Sequence, residues 1–391
     1  MDHFGPNVTT GADMTVNLVF WQNSLSIHQA PFLKAVAEQA PAYGIGEVVL
    51  NVERSVNSER RAQGWSNPDY GPVRINVGSE RPSISAFGAY DQHIFSGFCE
   101  TAFNRKAFES ALQFNHRPII TLETPRQNQP IGKALRSVKY RFLAWRYRAA
   151  DFALLPKGSM GVDYYKNHGF VSTNMQAFAY FPQPFRDLTV IERQSVNRIK
   201  FIFVGKLTKL KNLGPILALF ADIKDHDWSL EVVGVGPLVD EFTGFVKKNG
   251  LSHKVTFSGA LDNAEAQRRM AGSDYLILPS LHDGWGAVVN ESLLVGTPVI
   301  VSSGAGSSCL IRCPALGYTL DVTNREQMRE VLKLAIARGQ LRTSTRKDIQ
   351  QWAVSTISAD VGAAYFLSLV KAHRSGQKLS SVPVPWQTPL K

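Results

Sequence analysis

Two acids lie eight positions apart in the stretch HDGWGAVVNES, with a Gly-Trp-Gly turn between them. Asp283 precedes the turn, and Glu291 follows it in a segment with the pattern of a helix that ends at Gly296. The apolar residues 275–280 just before the turn predict a buried parallel strand. A strand, a glycine-rich turn and a helix start together form the place where open α/β sheets bind ligands. The spacing therefore predicts a ligand site around the two acids.

The second half of the chain has three more expected strand ends with the same kind of residue. They are Gly205, Lys206 and Lys211 after the strand at 200–205, Gly234, Gly236 and Pro237 after 229–234, and Ser258 and Gly259 at the end of 255–259. Glycine lets a ligand approach the backbone, a helix start attracts phosphate, and lysine adds a full charge. A single Gly-x-Gly turn also serves packing alone, but four such strand ends on one sheet predict a phosphate-binding cleft.

The order of the elements sets the expected fold class. Over 391 residues, expected strands alternate with expected helices in two series, which predicts two doubly wound, Rossmann-like α/β domains facing a cleft. We expect the first domain over residues 1–190, the second over 191–355, and a terminal helix with a tail over 356–391. The polar, proline-bearing stretch 182–197 is the expected linker. The residues from 380 onward are expected to form a loose extension.

The composition favours anionic partners and a reducing compartment. The net charge is +11 and the pI is near 9.5, which suits nucleotide phosphates, acidic lipid or nucleic acid, and also serves solubility alone. Three cysteines imply no disulfide framework, and Cys309 with Cys313 lacks nearby histidines for a zinc site. No apolar run reaches the length of about eighteen residues that crosses a bilayer, and the polar start has no signal pattern. A cytoplasmic location is expected, and nucleic-acid binding is disfavoured because no recognised module is present.

The motif order from residue 200 to 311 resembles the donor-binding half of GT-B retaining glycosyltransferases, most of all family 4, the Glu-x7-Glu enzymes. The motifs are Gly-Lys…Lys-Asn, Gly-x-Gly-Pro, Phe-x-Gly, Pro-Ser…Asp-Gly-Trp-Gly…Glu and Gly-Thr-Pro-Val-Ile, in the family's order. The resemblance implies a GT-B fold, an acceptor-binding first domain, a nucleotide-diphosphate sugar as donor substrate and no cofactor. It also implies a C-terminal helix that crosses back to the first domain, here through Tyr365, Phe366 and Leu369.

In that family the second acid of the motif holds both ribose hydroxyls of the nucleotide, a role that falls here on Glu291. The first acid lies beside the transferred sugar, and this chain has Asp283 in place of the family's glutamate. The turn and the helix start after it would bring backbone amides to the sugar and the diphosphate. These amides belong to Gly284, Trp285, Gly286, Ala287 and Val288.

By the same resemblance, Lys206 and Lys211 neutralise the departing diphosphate. Lys206 replaces the family's usual arginine, which keeps the charge but loses the bidentate fork. Breaking a sugar–phosphate bond builds negative charge on the diphosphate, and a fixed donor aimed at such charge contributes about 3–4 kcal/mol in comparable sites. The family's reaction is written as front-face attack, so no protein nucleophile is needed. Metal is expected to be unnecessary, since no Asp-x-Asp pair of the metal-dependent type occurs.

Two residues in the first half are candidates for the acceptor side. His28, in SIHQAPF, is expected at a helix start that faces the cleft, although a capping or packing histidine fits the same pattern. Glu123, in ITLETP, ends an expected strand where several family members place a histidine near the reacting sugar. Its carboxylate would orient an acceptor hydroxyl.

A basic amphipathic segment lies at 132–149. One helical stripe of this segment is apolar and has basic residues on its flanks: Leu135, Val138, Phe142, Trp145 and Ala149. One interpretation packs the stripe against the sheet. The other lays it in the plane of an anionic membrane, where each basic residue contributes up to about 1 kcal/mol. The residues in contact with the membrane would then be Arg136, Lys139, Arg141, Trp145 and Arg146.

These features predict a retaining hexosyltransferase that moves a sugar from a nucleotide-diphosphate sugar to a glycan or lipid-linked glycan. The expected setting is the assembly of a surface polysaccharide (exopolysaccharide, capsule or lipopolysaccharide), in the cytoplasm or at the inner face of the cell membrane. An alternative is a nucleotide-sugar epimerase of the same shape, which would convert the donor without an acceptor. A third is a catalytically degenerate nucleotide-sugar-binding partner, favoured by Asp283 and by the lack of glycines at 22–32.

Overall fold

The computed structural model describes residues 16–55, 68–78, 91–98, 101–127, 130–170, 174–184 and 198–390. Within these residues the chain forms two six-stranded parallel sheets with helices around them. This arrangement confirms the two doubly wound sheets that the strand–helix alternation predicts. The expected domain limit at residue 190 and most of the expected linker lie outside the described residues.

The first sheet has the spatial order β3-β2-β1-β4-β5-β6. Its strands are β1 Val16–Ser24, β2 Ile45–Arg54, β3 Arg74–Val77, β4 Gln92–Ser96, β5 Ile119–Leu122 and β6 Ala153–Pro156. Its helices are α1 Ala30–Gln39, α2 Ala102–Gln113, α3 Pro130–Arg146 and α4 Gly158–Asn167. The central strand β1 is buried over most of its length, as a strand covered on both faces must be.

The second sheet has the order β12-β11-β10-β7-β8-β9. Its strands are β7 Ile199–Val204, β8 Trp228–Val233, β9 Val255–Gly259, β10 Tyr275–Leu278, β11 Val299–Ser302 and β12 Gly317–Leu320. Its helices are α5 Leu213–Asp222, α6 Val239–Lys248, α7 Asn263–Ala271, α8 Ala287–Leu294 and α9 Arg325–Arg338. Strand β12 was not expected, because four residues at a sheet edge give too short a pattern to separate from a loop.

Both sheets reverse their strand order in the middle, between β1 and β4 in the first and between β7 and β10 in the second. The loops at the carboxyl ends of these strands diverge and leave a crevice, where doubly wound sheets bind ligands. Gly205 directly follows β7, and the turn with Asp283 follows β10. Two of the four predicted phosphate-site motifs, those after β7 and β10, therefore lie at this crevice.

The C-terminal helices connect the two domains. Helix α10 (Thr343–Ile357) packs on α8, and helix α11 (Ala359–Arg374) packs on α1 of the first domain. Nε2 of His373 lies 2.9 Å from the carbonyl oxygen of Arg117. Three buried side chains of α11 contribute to its packing against the first domain: Tyr365, Phe366 and Leu369. The predicted helix that crosses back to the first domain is confirmed.

By length and composition alone, Thr343–Arg374 is apolar enough to cross a membrane, with a mean hydropathy of 1.5 in its most apolar window. However, 67% of that window is buried inside the protein. Ser358 also has an extended backbone between α10 and α11, so the stretch is two helices. Its apolar composition is accounted for by its packing between the domains.

The segment after α11 corrects one expectation. It is not a loose extension, because Trp386 is only 3% exposed and fills the junction between the domains. Its ring lies 6.0 Å from the rings of Phe181 and Tyr365 and 6.2 Å from the ring of Trp285. The prolines around it indicated a loose tail, but burial of a large apolar side chain contributes about 1.5–3 kcal/mol. That contribution holds the segment in place.

Helix α3 carries the basic segment, and its exposure excludes one of the two interpretations. Its apolar stripe faces away from the sheet and is more than half exposed: Ile131 79%, Leu135 67%, Val138 68%, Phe142 54% and Trp145 59%. The opposite face of the helix buries Tyr140 and Ala144 instead. The packing interpretation is wrong, because the helical period identifies a shared face but not what meets that face.

Candidate functional site

A cavity of about 490 Å³, here called the donor cavity, lies in the crevice between the two sheets. Its walls come from the segment before α1, from the loops after β5, β7, β8 and β10, and from the starts of α7 and α8. Most of the predicted site residues line it: His28, Glu123, Gly205, Lys206, Lys211, Gly234, Asp283, Trp285, Gly286, Ala287, Val288 and Glu291. The structure thus brings residues from both domains into one cleft.

Some of the predicted donor-binding residues lie outside the lining of this cavity: Gly236, Pro237, Ser258, Gly259 and Gly284. The hydroxyl of Ser258 donates to a carboxylate oxygen of Glu231 at 2.7 Å, within its own domain. A side chain at Gly236 would collide with the backbone of Leu207. This glycine therefore serves the close approach of two loops, and the ligand-facing positions after β9 are Ala260 and Leu261.

The loop after β7 brings two lysines to the cavity. Asn212 has a left-handed backbone with a φ of 57°. Its side-chain amide, Nδ2, donates to the carbonyl of Pro279 at 3.1 Å. This bond ties the loop to the end of β10. Lys206 lies at the exposed rim, whereas Lys211 is partly buried and its Nζ lies 2.5 Å from Oδ2 of Asp283. A cation and a carboxylate are therefore paired at the inner end of the cavity.

Helix α8 begins at the cavity wall. The residue before it, Gly286, has a φ of 91°, a conformation that favours glycine. A Cβ atom there would lie 2.7 Å from a methyl carbon of Leu278. The amides of Ala287 and Val288 belong to the first turn, where backbone donors have no acceptor within the helix. Because both residues line the cavity, these donors and the helix dipole attract an anion there.

Glu291 lies on α8 with its carboxylate toward the cavity, and it is only 6% exposed. Its Oε1 accepts a hydrogen bond from Nδ2 of Asn263 at 3.1 Å and lies 3.7 Å from Nδ1 of His28. Gln267 in turn donates to Asn263 at 2.7 Å. A buried carboxylate that accepts one hydrogen bond from an amide keeps acceptor capacity for hydroxyl groups. Sequence reasoning missed Asn263, whose only signal is its place at the start of a helix after the Phe-x-Gly motif.

Trp285 belongs to the glycine turn that lines the donor cavity, but its side chain packs inside the protein. Its side chain is only 1% exposed, and its indole N–H donates to the side-chain oxygen of Asn290 at 2.8 Å. Nδ2 of Asn290 donates to the carbonyl of Tyr180 in the first domain at 2.9 Å. The side chain of Trp285 therefore joins the glycine turn to the first domain, and the donor contact expected of its backbone amide stays a prediction.

Glu123 is a first-domain residue that lies against the glycine turn. Its Oε1 accepts a hydrogen bond from the hydroxyl of Tyr180 at 2.7 Å. Its side chain occupies the space that a Cβ atom at Gly284 would need. Glycine at position 284 is thus required by the close approach of an acceptor-side carboxylate. Tyr180 was missed by sequence reasoning because only the folded chain brings it to Glu123.

Lys157 lies beneath this pair and is 5% exposed. Its Nζ donates to the carbonyl of Ala179 at 2.7 Å and lies 4.3 Å and 4.5 Å from the ring centres of Phe178 and Tyr180. Burial lowers the pKa of Lys157 to about 7, and the charge of Glu123 partly opposes this effect. Burial also raises the pKa of Tyr180 well above its usual value, and Glu123 adds to that. Tyr180 therefore remains a neutral donor to the Glu123 carboxylate.

The charges of the cavity suit a diphosphate. In the part of the chain that the structure describes, no group of three or more His, Cys, Asp or Glu side chains is placed to hold a metal ion. The positive end of α8 and two lysines lie at one end of the cavity, and the Glu291 carboxylate lies on the same helix. Such an arrangement can stabilise negative charge that develops on a leaving phosphate.

The second domain matches a known family at the level of sequence. Residues 187–352 match the family model described as Glycosyl transferases group 1. The 2-deoxystreptamine glucosyltransferase of Streptomyces kanamyceticus is 33% identical over 109 residues, which are 27% of this chain and 28% of that protein. The chain thus matches less than a third of that relative's length.

The whole chain is similar in fold to solved structures. HepE from Anabaena in complex with UDP superposes with a TM-score of 0.67 at 13% identity, over 91% of this chain and 100% of that one. The lipopolysaccharide outer core galactosyltransferase WaaB superposes with a TM-score of 0.66 at 12% identity, over 91% and 99%. These likenesses confirm the expected GT-B fold of two Rossmann-like domains facing a cleft.

Proposed function

We propose that this protein is a retaining glycosyltransferase that moves a sugar from a nucleotide-diphosphate sugar to an acceptor. The observation that carries the proposal is the donor cavity, in which the start of α8, Lys206 and Lys211 accompany a buried carboxylate, Glu291. A helix start with lysines suits a diphosphate. A buried carboxylate suits the pair of hydroxyls on a ribose. The family match over residues 187–352 supports the same activity.

In the proposed reaction, the bond between the anomeric carbon and the diphosphate oxygen breaks, and its electron pair stays on the diphosphate. The new negative charge meets Lys206, Lys211 and the first amides of α8. The acceptor hydroxyl attacks from the same face, and its proton passes to the leaving diphosphate oxygen, so the configuration is retained. Fixed donors contribute about 3–4 kcal/mol in comparable sites. We therefore propose that metal is unnecessary, and activity that disappears in EDTA would contradict this point.

Four side chains have proposed roles in positioning the substrates. Glu291 holds the ribose hydroxyls, and Asp283, next to Lys211, meets hydroxyls of the transferred sugar. Glu123, held by Tyr180, orients the acceptor hydroxyl from the first domain, since its carboxylate lies against the glycine turn. His28 lies close to Glu291, and its proposed role is at the nucleotide end of the cleft.

The proposed acceptor is a glycan or lipid-linked glycan in surface polysaccharide assembly, and the proposed location is the cytoplasm and the inner face of the membrane. The likeness in fold to WaaB supports this setting. The exposed stripe of α3 supports contact with lipid, since residues 126–148 include seven basic residues and no acid. Four of the five expected contacts are exposed and remain proposed: Lys139, Arg141, Trp145 and Arg146. Arg136 is partly buried and lines a cavity on the other side of the helix.

Co-sedimentation with lipid vesicles tests the membrane contact. We expect binding to phosphatidylglycerol vesicles and much weaker binding to phosphatidylcholine vesicles, because the attraction is partly electrostatic. The variant Leu135→Ser with Phe142→Ser should lose binding, whereas Leu334→Ser, an exposed leucine on α9 of the second domain, should not. Equal sedimentation with both kinds of vesicle, or with neither, would contradict the contact.

A thermal-shift screen with UDP-, GDP-, ADP- and TDP-sugars tests the donor. A ligand at one hundred times its Kd adds about 2.7 kcal/mol of stability, enough to raise Tm visibly. We expect one nucleotide to stabilise the protein and Glu291→Ala to abolish the response. A product analysis then separates transfer from other activities, since a glycosyltransferase leaves the donor sugar unchanged until an acceptor is added. Conversion of the donor to an isomer without acceptor would overturn the proposal.

A further inference from the structure

A second cavity of about 470 Å³ adjoins the donor cavity on the side of the first domain. The two cavities share Glu123, Lys211 and Asp283, so they meet at the place where the proposed transfer would occur. The second cavity extends from there between the loop after β5 and helix α3. It is named here the outer cavity. Its position relative to the donor cavity is that of an acceptor-binding site.

The outer cavity is rich in positive charge. Arg126, Arg136 and Lys139 line it, and its two acids, Glu123 and Asp283, both lie at the shared wall. Asp283 is already paired with Lys211. The part of the cavity away from the shared wall therefore has three cations and no acid in its lining.

Arg136 is built into the wall and is not a solvated surface group. Its Nε and Nη2 atoms are buried, and within the described residues neither has a hydrogen-bond partner. A buried guanidinium donor without a partner costs free energy, on the order of 1–3 kcal/mol or more. The free energy is recovered if the guanidinium turns toward an acceptor that a ligand supplies in the cavity. The buried donors of Arg136 therefore favour an anionic ligand independently of the number of cations in the lining.

His282 shows that the two guanidinium groups act on the same space. Burial lowers the pKa of His282, and the charges of Arg126 and Arg136 lower it further, against opposing effects of Thr124 and Asp283. The imidazole is therefore neutral at physiological pH and leaves the arginines as the charged lining.

We infer that the outer cavity binds a phosphate or diphosphate group carried by the acceptor. The inference rests on the proposed function, since it assigns the acceptor of that reaction to an anionic class. Two guanidinium forks and an ammonium group match phosphate oxygens, which accept two parallel hydrogen bonds from one arginine. A neutral glycan would not need three clustered cations, whereas all three attract an anion.

Helix α3 relates this site to the apolar stripe. Arg136 and Tyr140 face the cavity, while Leu135, Val138 and Phe142 face solvent on the other side of the same helix. A phosphate bound at Arg136 would lie near the depth of lipid head groups if the stripe lies in a membrane. The shared chemistry is the phosphate, whether it belongs to a lipid carrier or to a soluble phosphorylated glycan.

Calorimetric titration of inorganic pyrophosphate tests the site. The protein is first saturated with the nucleoside diphosphate that the thermal-shift screen selects, so that Lys206 and the α8 amides are occupied. We expect pyrophosphate to bind the saturated protein, and Arg136→Gln or Arg126→Gln to weaken it about tenfold or more, which is about 1.4 kcal/mol. Arg105→Gln, an exposed arginine on α2 of the first domain and outside the cavity lining, is the matched control and should bind as the parent does.

The outcomes separate this inference from the proposed function. If the nucleotide binds and pyrophosphate does not, or if all three variants bind it alike, the outer cavity is not a phosphate site. If no nucleotide binds, the proposed function fails, but pyrophosphate binding that depends on Arg126 and Arg136 still supports the site. Arg126 is exposed, so its variant should fold even if Arg136→Gln does not.

A second titration distinguishes the two sources of the phosphate. Dodecyl phosphate, used as a monomer, should bind more tightly than inorganic phosphate if the acceptor is lipid-linked, and Leu135→Ser should remove the difference. Equal affinities would assign the site to a soluble phosphorylated acceptor. In either case, Arg136→Gln should lower the affinity for both dodecyl phosphate and inorganic phosphate. Unchanged affinity for both ligands in this variant would overturn the site.

Discussion

Lys211 and Asp283 form an ion pair across the inner end of the donor cavity, with 2.5 Å between Nζ and Oδ2. Their side chains are 26% and 17% exposed, so the pair is more strongly coupled than a surface ion pair. The lysine and the acid come from the ends of β7 and β10, the two strands at the centre of the second sheet. Without a donor, the acid neutralises the cation that a diphosphate would use, and donor binding must therefore compete with Asp283.

Replacing Asp283 by asparagine should separate donor binding from transfer. The substitution removes the charge that competes for Lys211, so we expect the nucleoside diphosphate to bind several-fold more tightly. Transfer should fall by about a hundredfold, which is about 2.7 kcal/mol, because the contact with the sugar is lost. Calorimetry and initial rates measure the two effects. The exposed Asp225→Asn should change neither, and weaker nucleotide binding in Asp283→Asn would contradict the competition.

Lys209 and Lys211, both in the loop after β7, allow a matched comparison. Lys211→Met removes a cation at the inner end of the cavity and leaves Asp283 without its partner, so we expect nucleoside diphosphate affinity to fall about tenfold, or about 1.4 kcal/mol. Lys209→Met should leave affinity unchanged, because Lys209 is exposed and does not line the cavity. Equal losses in both variants would mean that only the overall charge matters.

Asn263 should act on donor binding through Glu291. Asn263→Ala removes the hydrogen bond that holds the Glu291 carboxylate, so we expect the KM for the donor to rise about three- to tenfold, at about 1 kcal/mol for a lost hydrogen bond. The kcat should change little, because Asn263 contacts no reacting atom in the proposed reaction. Asn249→Ala, on the exposed end of α6, is the control. A fall in kcat with KM unchanged would exclude this positioning role.

The stability of the protein should depend on pH through Lys157. Its folded pKa is depressed to about 7 from an ordinary value of 10.5. Below pH 7 the lysine is protonated in both states and the burial penalty is fully present. Between pH 7 and 10.5 the unfolded state binds the extra proton, so the free energy of unfolding rises with pH, at up to about 1.4 kcal/mol per unit.

Urea unfolding at pH values from 6 to 9 measures this dependence. Lys157→Met should remove the rise contributed by Lys157 and should stabilise the protein most at the acid end of the range. The exposed Lys224→Met should keep the slope of the parent. If Lys157→Met and the parent have parallel profiles, the lysine is not held near pH 7 by burial.

Gly284 should tolerate no side chain while Glu123 is present. Gly284→Ala places a Cβ atom in the space of the Glu123 side chain, so we expect Glu123 to leave Tyr180 and the transfer rate to fall at least tenfold, or about 1.4 kcal/mol. Gly244→Ala, in a helix with open space around it, should instead stabilise the protein by about 0.5–1 kcal/mol. Full activity in Gly284→Ala would contradict the role of this close contact.

The local pattern of the sequence was enough to predict the parallel strands other than β12, the turns after them and the start of α8. Each of these depends on neighbours within a few residues, such as the apolar run before Asp283 and the glycine before Ala287. The resemblance to family 4 added roles for residues already identified as strand ends. At two of the positions that it assigned, Ser258 and Trp285, the side chain makes a hydrogen bond within the protein, and contact with the donor there stays a prediction.

Contacts between the domains could not be predicted from the sequence. Tyr180 meets Glu123, and His28 approaches Glu291, only because two separate sheets face each other. The same limit applies to α3, because its helical period identified an apolar stripe but not the exposure of that stripe. It also applies to Lys157, whose burial depends on contacts with residues 178–180. Tertiary packing, rather than local preference, decides the environment of each of these side chains.

Trp386 has a consequence for the order in which the chain folds during synthesis. A ribosome adds residues from the N-terminus onward, and domains generally fold as they emerge. Both sheets are complete once β12 has been made, yet Phe181, Trp285 and Tyr365 surround an indole that arrives more than sixty residues later. A nascent chain can therefore form each domain early, but the part of the junction around Trp386 closes only when that indole arrives.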